Sequence, residues 1–277
     1  MIGQRVLICI RRSTGNKTKI FNMEQQYAII TGASQGIGAA IALKLAVEGF
    51  FTVLLARSEE KLQKIVQQIQ QNGGNAIAFP CDVSNSAVVE EVLEKIVEKL
   101  GVFPLVLVNN VGWGGPFHRT DEVSEVEWDQ LFATNVKSAF LFCRRLLPEM
   151  KKQNFGRIIN ISSIYGVVGG AGSSTYTATK YALLGYTKSL AVEWGSFGIT
   201  ANCISPGYIA TENFEINEQN AAYFQAVQKQ VPNRQLGKPE HIADVVALLA
   251  KATTSYINGG NLVIDGGFTA GFNFLEN

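Results

Sequence analysis

From Tyr27 onward the apolar positions follow two rhythms: short continuous runs, and longer stretches in which they recur every three or four residues. The runs are Y-A-I-I-T (27–31), F-T-V-L-L-A (51–56), A-I-A-F-P-C (76–81), L-V-L-V-N (105–109), R-I-I-N-I-S (157–162), T-A-N-C-I-S (200–205) and L-V-I-D (262–265). Most are apolar on both faces, the pattern of parallel strands covered by helices on each side. The helical rhythm occupies 37–49, 59–71, 86–100, 124–152, 175–194 and 240–251, with Gly49, Gly73, Gly101 and Gly195 where C-caps belong. This alternation predicts an α/β fold, a doubly wound, Rossmann-like parallel sheet of about seven strands with helices on both faces. No linker, repeat or low-complexity tract interrupts it, so residues 23–277 read as one domain. Ligands in such a sheet bind beyond the carboxyl ends of the strands, and function is to be sought there.

The composition is that of a core-building globular chain: 47% hydrophobic and 17% charged over 277 residues. A net charge of +1 offers no electrostatic footprint for nucleic acid or an anionic membrane surface. That balance hides an asymmetry, because residues 1–22 hold Arg5, Arg11, Arg12, Lys17 and Lys19 with no acid. The apolar run there, Val6 to Ile10, is too short for a signal segment or a membrane span. Residues 1–22 are therefore expected to be a disordered basic extension, or to lie upstream of a start at Met23, with a transit peptide as the alternative. Cys9, Cys81, Cys143 and Cys203 are far apart and form no C-x-x-C pair, which suits buried thiols in a reducing, cytoplasmic setting. The two histidines, His118 and His241, have no neighbouring Cys or acid cluster, so no metal site is expected.

The chemistry lies at the strand ends. After the first run comes T-G-A-S-Q-G-I-G, where Gly32, Gly36 and Gly38, with Ser34, Gln35 and Ile37 between them, open an apolar helix. Glycines there let the backbone turn tightly and approach a diphosphate at a helix N-terminus. After the second run stand Ala56 and Arg57. No carboxylate is present to bond a ribose 2′-hydroxyl, and a guanidinium is placed for a 2′-phosphate, which points to NADP(H). In S-T-Y-T-A-T-K, Tyr176 and Lys180 are four apart, on one face of a helix, with Ala178 leaving that surface open.

Together T-G-x-x-x-G-x-G (31–38), N-N-V-G (109–112) and Y-x-x-x-K (176–180), followed by S-P-G (205–207) and I-D-G-G (264–267), resemble the short-chain dehydrogenase/reductase family. The resemblance covers about Glu24 to Gly267. It implies a catalytic group of Asn135, Ser163, Tyr176 and Lys180; Ser163 is preferred to its neighbour Ser162 on its spacing to Tyr176. It further implies that Asp82 and Val83 lie beside the adenine and that Asn109 is a structural asparagine at the cofactor. Pro206, Gly207, Ile209 and Thr211 would hold the nicotinamide end, and Lys180 would also bond the nicotinamide ribose. On that reading Lys180 would lower the Tyr176 phenol toward working pH, and Ser163 would bond the carbonyl oxygen.

The implied activity is NADPH-dependent interconversion of a ketone and a secondary alcohol. A catalytically silent nucleotide-binding regulator is the alternative of another class. Residues 212–236, where the β-α rhythm lapses, correspond to a substrate lid, with Phe214, Tyr223 and Phe224 as apolar walls and no cluster of positive charge. A homotetramer is the expected assembly. Among relatives the chain looks most like 3-oxoacyl-[acyl-carrier-protein] reductases, but Asn154 and Phe197 stand where those enzymes carry basic docking residues. An acyl carrier protein partner is therefore disfavoured.

Overall fold

The computed structural model of the chain describes residues 25–211, 221–251, 253 and 255–271. The basic extension 1–22 and residues 212–220 of the expected lid lie outside them. The seven apolar runs become β1 (Tyr27–Thr31), β2 (Phe51–Ala56), β3 (Asn75–Pro80), β4 (Val106–Asn109), β5 (Gly156–Ile161), β6 (Ile199–Pro206) and β7 (Asn261–Ile264). All pair in parallel in the order β3-β2-β1-β4-β5-β6-β7. The order reverses between β1 and β4, so the loops leaving those two strands diverge and open a crevice.

The helices are α1 (Gly36–Val47), α2 (Glu59–Gln71), α3 (Ser86–Leu100), α4 (Glu125–Phe132), α5 (Ser138–Gln153), α6 (Ser174–Trp194), α7 (Ala221–Gln230) and α8 (Pro239–Ala250). Successive strand residues serve opposite layers: Ala28 and Ile30 pack with Ile41 and Leu45 of α1 and Ile242 and Val246 of α8, whereas Ile29 packs with Val92 of α3 and Phe142 of α5. β1 is thus apolar on both faces, as its continuous pattern requires. Among the described residues no helix is long and apolar enough to cross a membrane, and no group of His, Cys, Asp and Glu has a metal-binding arrangement.

One expectation is corrected. The single helix expected at 124–152 is α4 and α5 joined by a π-helical turn, Ala133–Lys137. Periodicity does not reveal one wide turn inside a long helix, although such turns gather at functional sites. Gly195 caps α6 as expected, but in the right-handed region: its φ is −58°, the chain continues as a 3-10 turn, and Gly198 at φ +71° ends it. A Cβ on Gly198 would lie 2.3 Å from the Asn154 carbonyl oxygen, so glycine is needed there on two counts. The described part of the stretch read as a lid contains α7, which buries Phe224 and Val227.

Polar groups are buried deep in the sheet. Asn109 Nδ2 donates to Asn160 Oδ1 at 2.8 Å, Asn160 Nδ2 donates to Thr187 Oγ1 at 2.8 Å, and Thr187 lies 3.0 Å from Cys203 Sγ. This row ties β4, β5, β6 and α6 together, and every member is satisfied by the next. The guanidinium of Arg157, also buried, donates to the carbonyls of Gly156, Gly198 and Lys251 and lies over the Phe155 ring at 4.3 Å. It closes the end of the sheet opposite the crevice.

Candidate active site

The glycine loop after β1 is shaped by contact with β4. Gly32 and Gly36 adopt φ +67° and +55°, and a Cβ on Gly38 would stand 2.1 Å from the Gly32 carbonyl oxygen. Asn110 Nδ2 donates to the carbonyls of Thr31 (2.9 Å) and Gly32 (3.2 Å). Thr31 Oγ1 accepts from the N–H groups of Asn110 (3.0 Å) and Val111 (3.2 Å). The first turn of α1 carries no acid, so its free N–H groups face an opening with nothing to repel an anion. Ser34, Gln35, Gly36 and Ile37 are half-buried along this opening, and Thr211 approaches Gly36 from the loop after β6. A diphosphate fits this cradle, because the side chains that would fill it are missing.

Farther along the sheet edge, Arg57 is exposed, and its charge helps hold the Asp82 carboxyl below the usual range. The larger cause of that shift is hydrogen bonding from Ser84, whose Oγ and N–H reach Asp82 Oδ1 at 2.7 and 3.0 Å. Lys61, on the first turn of α2, donates to Gln35 Oε1 at 2.8 Å. A second cation therefore stands where the sequence shows only a neutral glutamine. The Val83 side chain is buried in the layer of α3 and α5, which leaves only its main chain for the crevice. Asn109 likewise turns its amide inward to Asn160, so Asn110, which sequence reasoning passed over, is the residue that braces the loop. On the other side of the crevice, Pro206 ends β6 and Gly207 donates to Ile264 O at 2.9 Å, while Ile209, buried, bridges to Gly237.

The four residues expected to be catalytic converge at the ends of β4 and β5. Ser162 Oγ turns away and donates to the Lys180 carbonyl at 3.1 Å, whereas Ser163 Oγ accepts from the Tyr165 N–H at 3.2 Å and exerts a downward pull on the Tyr176 phenol pKa. Ser163 is thereby separated from its neighbour by geometry as well as spacing. Lys180 is buried, donates from Nζ to the Ile161 carbonyl at 3.0 Å, and lies 5.4 Å from the Tyr176 ring centroid. Gly112 covers it; a Cβ there would come within 3.0 Å of Nζ. Asn135, inside the π-helical turn, exchanges hydrogen bonds with the Trp113 backbone (2.8 and 2.9 Å) and donates to Thr179 Oγ1 at 3.0 Å. Thr179 in turn donates to the Tyr176 carbonyl at 2.7 Å. The wide turn thus links the loop after β4 to the helix that carries Tyr176.

The electrostatics differ from expectation in one respect. Burial pushes the Tyr176 phenol up to about 12, against a smaller downward pull from Ser163, and Lys180 does not counter it. Burial also lowers Lys180 to about 8, so the ammonium is itself destabilised by the environment in which it was expected to act. Burial thus favours the protonated phenol at neutral pH. It is poised as an acid.

A family model described as "Enoyl-(Acyl carrier protein) reductase" matches residues 32–269. A 3-oxoacyl-[acyl-carrier-protein] reductase, FabG, of Staphylococcus aureus is 37% identical over 246 residues, covering 87% of this chain and 96% of its own. Among solved structures, YwfH, an NADPH-dependent reductase involved in bacilysin biosynthesis, superposes with TM-score 0.84 at 28% identity, covering 90% of this chain and 100% of its own. A variant of the actinorhodin polyketide ketoreductase with NADPH superposes with TM-score 0.82 at 30% identity, covering 88% and 97%.

Two outcomes are expected from this geometry. Tyr176→Phe should lower kcat at least 10²-fold, within the roughly 10² to 10⁴ that general acid catalysis contributes, while the melting temperature stays unchanged. Retention of more than about a tenth of the activity would remove Tyr176 from the role.

The second concerns stability. Because Lys180 is held below its ordinary value, the unfolded chain keeps a proton between about pH 8 and 10 that the folded chain releases. Folding stability from this group therefore rises with pH through that window, and below it the full cost of the buried charge is present. Urea unfolding at pH 7.5 and 9.5 should show about 1–2 kcal/mol more gain with pH in the unmodified protein than in Lys180→Met. Equal gains in the two proteins would mean that the ammonium is not penalised by burial.

Proposed function

The chain belongs to the short-chain dehydrogenase/reductase family, an oxidoreductase of its NADP-dependent type, and from that premise we propose that it reduces a ketone to a secondary alcohol at Tyr176. The observation that carries this reading is the convergence of Ser163, Tyr176, Lys180 and Asn135 beside the glycine cradle. NADPH, when bound, supplies the hydride. Ser163 Oγ–H bonds the carbonyl oxygen as charge develops on it, and the Tyr176 phenol gives that oxygen its proton. Lys180, held on the Ile161 carbonyl near the Tyr176 ring, would bond the nicotinamide ribose. Asn135 fixes the loop at Trp113 against α6, so the groups meet a substrate already aligned. Gly32, Ser34, Gln35, Gly36, Ile37 and Gly38 would cradle the diphosphate, Asp82 and the Val83 main chain would border the adenine, and Pro206, Gly207, Ile209 and Thr211 would hold the nicotinamide end.

The substrate is a small, uncharged ketone. A carrier-linked 3-oxoacyl group is less well supported, because the basic side chains near its expected docking face have partners within the chain. Arg144 and Arg145 pair with Glu90, Lys152 pairs with Glu149, and Lys151 lies over the Phe197 ring at 4.4 Å. Buried, unpaired Cys81, Cys143 and Cys203 suit a reducing cytoplasm. A homotetramer is supported by two separate exposed apolar faces: Val126, Trp128 and Phe140 on α4 and α5, and Leu248 and Val263 on α8 and the edge strand β7. Two distinct self-complementary faces close a four-membered assembly. Light scattering should give four chains; a monomer at micromolar concentration would count against it.

The deciding experiment is turnover of a panel of free and carrier-linked ketones with each cofactor. Free ketones should be reduced, with NADPH preferred to NADH by about ten- to a hundred-fold, the worth of one or two charge-assisted contacts. Arg57→Ala should take away most of that preference and Lys61→Ala a smaller part. Ala56→Asp combined with Arg57→Ala should reverse it by adding a repulsive carboxylate. No turnover on any ketone would leave the silent nucleotide-binding regulator as the reading.

A further inference from the structure

The segment between β4 and α4, residues 110–124, is fastened at its start by Asn110 and Val111 on Thr31 and by the Trp113 backbone on Asn135. The reaction above uses nothing beyond Trp113. The second half of the segment has fastenings of its own, and they lead to the start of α6. His118 pairs with Ser173 in a short parallel bridge, and Thr120 Oγ1 donates to Ser174 Oγ at 3.1 Å. Ser173 is the N-cap of α6, Ser174 opens that helix, and Tyr176 stands two residues farther on. Gly172, at φ +72°, lies against Phe117; a Cβ there would stand 3.7 Å from the Phe117 side chain.

A third element joins these two. Glu127 stands in the first turn of α4, where its N–H donates to Ser124 Oγ at 3.2 Å, and its Oε2 lies 3.1 Å from His118 Nδ1. A carboxylate only accepts, so this contact sets the hydrogen on Nδ1, a form that the charged ring and one neutral tautomer share. The Glu127 side chain is only 13% exposed, so water competes little for it, whereas the Thr120–Ser174 bond is open to solvent. The charge-assisted contact is therefore the stronger of the two. Trp113 follows Gly112, which lies on the Lys180 ammonium, and Phe117 lies on Gly172, so two exposed rings are carried between those contacts. We propose that Glu127 and His118 are positioning residues. Together they clamp residues 117–120 onto the start of α6 and hold Trp113 and Phe117 as one apolar wall for the substituents of the ketone. The inference rests on the reading of Tyr176 as the proton donor only for its kinetic consequence; the clamp itself is a property of the fold.

Arg119 lies inside the clamped stretch and is exposed, so tryptic cleavage after it, mapped by mass spectrometry, reports how often the stretch opens. The test is a set of His118→Ala, Glu127→Ala, Glu127→Gln and double-alanine variants, read by that cleavage and by steady-state kinetics. His118→Ala should speed cleavage after Arg119 about three- to tenfold, the worth of one partly exposed hydrogen bond. It should raise KM for the ketone by a similar factor, leaving kcat within about twofold and NADPH affinity unchanged. Glu127→Gln keeps an acceptor oxygen for Nδ1–H and should stay within about twofold of the unmodified protein, whereas Glu127→Ala should match His118→Ala. The double-alanine variant should cost nothing further, since the same link is already broken. Unchanged cleavage in His118→Ala, a double variant equal to the product of the singles, or a loss confined to kcat would overturn the proposal. Cleavage is measured without turnover, so an unmodified protein that reduces no ketone would defeat the catalytic reading, while the cleavage rates still decide the clamp.

Discussion

The arrangement on which the rest depends is the stitching of β1 to β4 at the point where the strand order reverses. Asn110 holds the carbonyls of Thr31 and Gly32, and Thr31 holds the N–H groups of Asn110 and Val111. Without it, two loops leaving a parallel sheet in opposite directions would have no reason to keep a fixed separation. With it, the glycine cradle and the loop over Lys180 become one rigid rim. Gly38 can then press against the Gly32 carbonyl, and Gly112 against the Lys180 ammonium, because the contacts on the far side do not yield.

Behind that rim the interior is more polar than a parallel sheet ordinarily is. The row from Asn109 through Asn160 and Thr187 to Cys203 carries hydrogen bonds from one strand to the next. Lys180 is held on the Ile161 carbonyl and Ser162 on the Lys180 carbonyl. Each group is satisfied by a neighbour, so burial is tolerated, and each fixes the position of the next. The cost appears in the Lys180 ammonium, lowered to about 8, and in the Tyr176 phenol, raised to about 12. Both shifts favour neutral groups, and a neutral phenol is the form that gives up a proton to a new alkoxide.

The relatives agree with this division of labour. The family match and the superposed reductases span nearly the whole described sheet, as expected when the scaffold is shared. A shared scaffold does not by itself fix the substrate, because function lives in sites grafted onto the fold.

The sequence by itself determined the sheet, because strands buried on both faces read as short, mostly apolar runs, and seven of them alternate with longer stretches of helical period. Strand bounds read from it agree with the structure to within a residue or two, as do helix bounds apart from the division of 124–152 and the unforeseen α7. It also placed Tyr176 and Lys180 on one helix and the three glycines at the turn into α1, where the structure has them, because both arrangements follow from spacing along a short stretch of chain. What it could not decide are contacts between residues far apart in the chain: Asn110 at the glycine loop, Lys61 beside Gln35, and the wide turn at Asn135 that reaches Trp113 and Thr179. Nor could it give the sign of the Tyr176 shift. Proximity of a lysine four residues away favours the phenolate, but only the folded environment shows that burial outweighs it, because desolvation depends on everything packed around the group.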